Sequence, residues 1–169
     1  MIERLKEIWL DAKQMRDERG LTLIELLVVV VILGIIAAIA VVAIGGLIEN
    51  SRKDAVVSDA KQLVSAAKLY ASSNPIQAGE TVKLGLYRSN SAFVPATGEV
   101  KIDKYIDSME DPFNTPNKYK EAFVEVTESN GSYSYKVTLK GKNAYFNDAA
   151  PSTLKRSDLS MTAYSVSAP

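Results

Sequence analysis

The sequence predicts an α+β fold: one long N-terminal helix packed on a C-terminal antiparallel β-sheet head. Three observations predict it. Leu21 to Ile48 is a 28-residue apolar run in which Glu25 is the only charge. An amphipathic pattern at helical spacing follows without a strong break as far as Ser73. Near the other end, Asn130-Gly131 sits between two runs of alternating polarity, the strongest short-range signal for a hairpin.

The apolar run comes first. It exceeds the roughly 20 residues needed to cross a bilayer as a helix. Glu25 is out of place in it, because an acidic side chain costs roughly 2.5–3.5 kcal/mol at the bilayer centre and less towards the interface. Such a cost implies that the carboxylate acquires a partner. Before the run stand 20 residues, MIERLKEIWLDAKQMRDERG, with Arg4, Lys6, Lys13, Arg16 and Arg19 among them. After it the nearest cations are Arg52 and Lys53, so the excess of Lys and Arg places the N-terminus in the cytoplasm and the rest outside. Ile2, Leu5, Ile8, Trp9 and Ala12 recur at helical spacing in the leader, which suits a segment lying along the membrane surface.

The order Gly20-Leu21-Thr22-Leu23-Ile24-Glu25-Leu26-Leu27 resembles the processing site of type IV pilins and the related pseudopilins of type II secretion. Val28 to Ala40, with Gly34 inside it, continues the likeness. The resemblance implies that a prepilin peptidase cuts between Gly20 and Leu21 and methylates the new Leu21 amine. It also implies that Glu25 forms a salt bridge with the Leu21 amine of a neighbouring subunit. The chemistry supports such a bridge: the freed amine is cationic near neutral pH, and methylation keeps its charge. Glu25 lies four residues on, one helical turn away on the same face. A carboxylate reaching to the headgroups without a partner is the plainer reading. Two other readings compete. Ala38-Ile39-Ala40 satisfies the small-x-small rule of ordinary signal peptidase, but it would leave a 25-residue n-region and cut inside the apolar run. A plain single-span anchor has no need of the Gly-Leu-Thr-Leu-Ile-Glu order.

From residue 49 to residue 74 the helix continues in amphipathic form. Val56, Ala60, Leu63, Ala67 and Tyr70 form a stripe that Val57 and Val64 widen, with Asp59, Lys61 and Lys68 away from it. Ser72-Ser73-Asn74-Pro75 ends it, since the residue before proline disfavours the helical region. Where the family often has a proline, this chain has Val42, with Gly45-Gly46 three residues further on. Paired glycines lower helix propensity by about 1 kcal/mol each relative to Ala, so a bend or local melting is expected there, with close helix packing as the alternative.

Residues 75–148 are expected to form the β-rich head. Val82, Leu84 and Leu86 alternate; Phe93-Val94-Pro95 and Thr97-Gly98 read as loop and turn; Val100 to Ile106 suits a short strand or one helical turn. The hairpin pairs Ala122–Glu128 with Ser132–Lys140, placing Tyr133, Tyr135, Val137 and Leu139 on one face. A strand around Ala144-Tyr145-Phe146 completes a meander, and the amphipathic helix covers its apolar face. Glu110 to Tyr119 resembles the Asp-Pro-aromatic turn of major pseudopilins and some Gram-positive pilins, with Asn114 where glycine is usual. Asp111, Asn114 and Asn117 could offer oxygens to Ca²⁺, but one carboxylate is a poor start for six to eight ligands, and a structural turn is preferred. The tail, residues 149–169, is rich in Ser and Thr and reads as an extended or flexible arm.

Composition excludes several functions. With no Cys and no His, zinc sites of the Cys/His kind and His-dependent nucleophilic catalysis are ruled out. Twenty basic and twenty acidic residues balance to zero, which argues against nucleic-acid binding driven by bulk charge. The lack of cysteine fits export across a single membrane, as in a Gram-positive cell. The expected role is therefore a non-enzymatic filament subunit that needs no cofactor. The resemblance implies as partners a prepilin peptidase, identical and related pilin subunits, a platform protein and an assembly ATPase, with membrane lipid around the subunit before assembly. A pseudopilin of a secretion or competence machine is the alternative.

Overall fold

The apolar run and the amphipathic run join into a single helix, α1 (Leu23–Ser73), in the computed structural model. The structure describes residues 4, 6, 7, 22–89 and 91–162. The chain divides into two compact units, Met1–Leu47 and Ile48–Pro169, with the division one residue after Gly45-Gly46. α1 is helical through both glycines. Helix formation is cooperative, and unbroken hydrogen-bonded turns on either side outweigh a propensity loss of about 1 kcal/mol per glycine.

In the first unit, every Leu, Ile and Val of α1 from Leu23 to Leu47 is exposed, at 44–83% of full accessibility. The segment is long and apolar enough to cross a membrane. Glu25 in the first turn is the only charged residue there, so the surface beyond it is complete only in lipid or against other apolar helices.

The second unit has a core of its own. Within it α1 buries Val56, Val57, Ala60, Leu63, Val64, Ala66, Ala67 and Ala71. The four alanines give this face a low profile, so the helix can approach the sheet closely, while Leu63 and the valines fill the space between. After Pro75 six strands follow: β1 (Thr81–Arg88), β2 (Ser91–Ala92), β3 (Glu99–Lys101), β4 (Glu121–Ser129), β5 (Ser132–Lys140) and β6 (Tyr145–Ala149). The sheet runs β2-β1-β4-β5-β6, with β3 also paired to β1. All pairs are antiparallel except β1–β3. Val82, Leu84 and Leu86 of β1, Ala122, Val124 and Val126 of β4, Val137 and Leu139 of β5 and Phe146 of β6 join the helix face in one core.

The β4–β5 hairpin has the predicted register. Ser129 pairs with Ser132 around Asn130-Gly131, whose φ values of 52° and 79° are those of a two-residue type I′ turn. Val137 and Leu139 are buried, but Tyr133 and Tyr135 are only partly covered, so the predicted apolar face dries out from the hairpin tip towards its base. Thr138, on the opposite face, is buried as well. A register shift lets β6 fold over it, with Asp148 at φ 48°. The Thr138 hydroxyl donates to Asp148 Oδ1 at 3.2 Å and accepts the Asp148 N–H at 3.3 Å.

Two features depart from expectation. The segment after Ala149 is packed rather than extended as far as Ser160. Short 3₁₀ turns at Pro151–Thr153 and Arg156–Asp158 bring Leu154 and Leu159 into the core. Ser160 exchanges two backbone hydrogen bonds with Tyr145, and the Arg156 guanidinium pairs with Asp54 on α1. Two leucines suffice to anchor a segment whose other residues are polar. The second is the burial of Phe93: the residue stands in a loop as expected, yet it packs against Gly85 of β1. A Cβ at position 85 would lie 2.2 Å from the Phe93 ring, so only glycine admits this contact.

Candidate processing and assembly site

Thr22 opens α1, and its side chain and Glu25 cap each other. Thr22 N–H donates to Glu25 Oε2 at 2.8 Å, the Thr22 hydroxyl donates to the same oxygen at 2.7 Å, and Glu25 N–H donates to Thr22 Oγ1 at 3.3 Å. This is a capping box, in which the first and fourth residues satisfy each other's backbone donors at the helix start. Helix N-termini leave four N–H groups without partners, and in lipid each unsatisfied group costs several kcal/mol. The box therefore does two things at once: it closes part of the helix end, and it supplies donors to the lone carboxylate. Both bonds from Thr22 fall on Oε2. Among the described residues Oε1 accepts none.

The other residues singled out in this region divide between described and undescribed parts. Gly20 and Leu21, the predicted cleavage and methylation positions, lie outside the described residues, as does most of the leader. Gly34, Gly45 and Gly46 are helical, and a methyl group added at any of them would meet nothing within 4 Å. The capping box was legible as Thr-x-x-Glu ahead of an apolar run, yet sequence reasoning assigned Glu25 only an intermolecular partner and gave Thr22 no role.

In the head, Asp111, Asn114 and Asn117 do come together on one turn, but in an arrangement unsuited to Ca²⁺. Asp111 is buried; its Oδ1 accepts the Phe113 N–H at 2.9 Å and its Oδ2 the Lys142 N–H at 2.6 Å. Backbone bonds from Asp111 N–H to the Asn117 carbonyl (2.8 Å) and from Asn114 N–H to the Asp111 carbonyl (2.9 Å) close the turn. The Asn117 amide donates to the Asn114 carbonyl at 3.0 Å. Lys118, Lys120 and Lys142 line the same recess. A calcium site needs six to eight oxygens under strong negative charge, whereas here one carboxylate is engaged by two backbone amides and flanked by three lysines. Asp111 instead fastens the 110–119 turn to the β5–β6 connection. Gly141 admits it, since a Cβ there would lie 2.8 Å from Oδ2.

The same turn is tied to α1. Tyr119 is fully buried, and its hydroxyl donates to Asp59 Oδ2 at 2.7 Å. Burial pushes the Asp59 carboxyl above the usual aspartate value; the hydrogen bond from Tyr119 opposes the shift and the charge of Asp111 adds to it. Burial and the neighbouring Asp59 charge push the Tyr119 hydroxyl upward in turn, so it stays a donor at any physiological pH.

The start of this helix carries a known sequence signature. The family model described as the prokaryotic N-terminal methylation motif matches residues 15–41. The chain carries the N-terminal signature of type IV pilins and pseudopilins. The matched stretch contains Gly20, Leu21, Thr22 and Glu25 and ends inside the exposed apolar part of α1. The motif implies processing by a prepilin peptidase and assembly with pilin-type subunits in general. No curated protein and no solved structure matches the chain.

Proposed function

We propose that this pilin-like protein is a structural subunit, cut after Gly20, methylated at Leu21 and polymerised into a type IV pilus-like surface filament. The observation that carries the reading is the division of α1. An apolar segment whose Leu, Ile and Val residues are all exposed, with a single capped carboxylate, precedes a segment whose stripe from Val56 to Ala71 is buried in its own head. The first segment needs an apolar environment, which membrane lipid supplies before assembly and other copies supply after it. Glu25 Oε1, left without a donor by the capping box, is the acceptor for the methylated Leu21 amine of a neighbouring subunit. In a low-dielectric filament core that pair attracts far more strongly than in water.

On this reading the N-terminus is cytoplasmic and the head is outside, in a cell with one membrane. A platform protein and an assembly ATPase drive subunit addition, and Gly45-Gly46 is where the helix yields if packing demands it. Adhesion, motility or DNA uptake is then a property of the filament. A pseudopilin of a secretion or competence machine is the second reading, and the Asp111-Pro112-Phe113 turn fits it as well as it fits a Gram-positive pilin. Mass spectrometry of the exported protein tests the processing step. A methylated Leu21 terminus is expected, and Gly20 replaced by a bulky residue should leave full-length precursor in the membrane. A mature terminus at Val41 would instead mark an ordinary signal peptide.

A further inference from the structure

The tip of the β4–β5 hairpin combines a chemically reactive pair with a device that restrains it. Asn130 and Gly131 are both exposed, and the Asn130 side-chain amide forms no hydrogen bond among the described residues. Asparagine followed by glycine is prone to deamidation because no side chain shields the glycine nitrogen. In that reaction solvent hydroxide removes the Gly131 amide proton and the nitrogen attacks Asn130 Cγ. A N–Cγ bond forms, the Cγ–Nδ2 bond breaks, and ammonia leaves a five-membered succinimide. Water then opens the ring at either carbonyl to an aspartyl or isoaspartyl residue, so the net change is one water consumed and one ammonia released.

The Gly131 N–H is not free to take part. It donates to Glu128 Oε1 at 2.7 Å, while Glu128 Oε2 accepts the Gly79 N–H at 3.1 Å. Glu128 is itself buried, and its backbone N–H is fixed to the Glu80 carbonyl at 3.1 Å, so the carboxylate is held from two sides. A carboxylate is far too weak a base to take an amide proton. Its negative charge opposes formation of the nitrogen anion, and its hydrogen bond must be broken before attack. Both effects slow the reaction. We propose that Asn130 is a deamidation site of this protein and that Glu128 is the lock that keeps it closed. Release of the lock has a structural consequence. An isoaspartyl residue adds a backbone carbon to a turn that admits only two residues, and it undoes the Ser129–Ser132 pairing on which the hairpin register depends.

The test follows the rate of mass gain at Asn130 by peptide mapping of the full chain in detergent micelles, held at mildly alkaline pH. Wild-type protein unfolded in urea gives the unrestrained rate. Folded wild type is expected to react far more slowly. Glu128→Ala is expected to accelerate deamidation roughly ten- to hundredfold, the factor attached to a hydrogen bond with a charged group. Glu128→Gln keeps the shape and an acceptor oxygen but not the charge, so it should fall between the two with the head still folded. A folded Glu128→Gln protein reacting at the wild-type rate would overturn the proposal, because turn geometry alone would then be protecting Asn130. Folded wild type reacting as fast as the unfolded chain would overturn it too.

Discussion

The two halves of α1 use apolar residues in opposite ways. From Leu23 to Leu47 Leu, Ile and Val occupy every side of the helix, and all of them are exposed. From Ile48 to Ser73 Val56, Val57, Leu63 and Val64 lie on one buried stripe with four alanines, and Ile48 and Leu69 alone among the large aliphatics stay exposed. What differs is where each finds its partner surface. The outer half finds it within the same chain, in a head whose core is closed by strands, turns and two leucines of the C-terminal segment. The inner half finds none, and a single capped carboxylate is its only polar feature beyond Thr22. The difference teaches that one continuous helix can belong to two stability regimes, one intramolecular and one that depends on lipid or on other copies.

The largest expected effect breaks the comparison directly. Leu63 has no exposed surface, so Leu63→Asp buries an unpaired charge and should cost about 3–5 kcal/mol, enough to abolish cooperative melting of the head. Leu33→Asp places the same charge in the exposed inner half and should leave the melting curve of the head unchanged. Circular dichroism of the full chain in detergent micelles reads both. If Leu33→Asp lowered the melting temperature of the head as much as Leu63→Asp, the two regimes would be one.

Glycines sharpen the comparison at a smaller scale. Gly85→Ala drives a methyl group into the Phe93 ring and should destabilise the head by about 1–3 kcal/mol. Gly45→Ala meets nothing and should stabilise the helix by up to about 1 kcal/mol, seen as slower amide exchange around residue 45. Opposite signs are expected, and the same sign for both would contradict the contacts described.

The Tyr119–Asp59 bond gives an effect of the same order as Gly85→Ala and the only one with a pH signature. Tyr119→Phe removes the donor and should cost about 1–3 kcal/mol in head stability. Asp59 titrates above its ordinary value in the folded head. Its contribution to stability is therefore complete below about pH 4 and lost as the pH rises through the raised value. Asp59→Asn still accepts the Tyr119 hydrogen bond but cannot ionise. Its head should lose less stability than wild type between those limits. Urea titrations at several pH values measure the difference, and parallel curves for the two proteins would show that the Asp59 charge is not strained by burial. Carboxylates held below their usual values, such as the half-buried Glu99 beside Arg88, act in the opposite direction, but equally in both proteins.

How far these regions were legible in the sequence follows the same division. Periodicity located α1 and its buried stripe, because a helix face that packs on a sheet must repeat at 3.6 residues. Asn130-Gly131 located the hairpin, because few other pairs adopt a type I′ turn without strain. β2 was not foreseen as a strand, and β3 only as one of two readings of Val100 to Ile106: two- and three-residue strands carry no period, and they exist only because β1 offers them an edge. The packing of Leu154 and Leu159 was hidden because two isolated apolar residues among serines and threonines look the same whether a core receives them or not. Asp111 read as a candidate ligand because sequence shows an oxygen but not the amide already bound to it. At the N-terminus the motif announced Glu25. Its capping partner Thr22 is less apparent, because a lone carboxylate calls for a charge, whereas what meets it here is a hydroxyl and an N–H.

The central claim is that the inner half of α1 is completed by other copies and that Glu25 takes part in that completion. Glu25→Val tests it most directly, because valine removes the carboxylate while improving the apolar surface, so membrane insertion should survive. The measurement is the yield of sheared filaments relative to subunit held in the membrane, in cells without wild-type copies. A buried amine left without its partner typically costs about 3–5 kcal/mol, which lowers a subunit-addition equilibrium by two orders of magnitude or more. Filaments should therefore be nearly absent while processed subunit accumulates in the membrane. Filament yield equal to wild type, with the Leu21 terminus correctly formed, would contradict the account and leave the Thr22–Glu25 pair as no more than a helix cap.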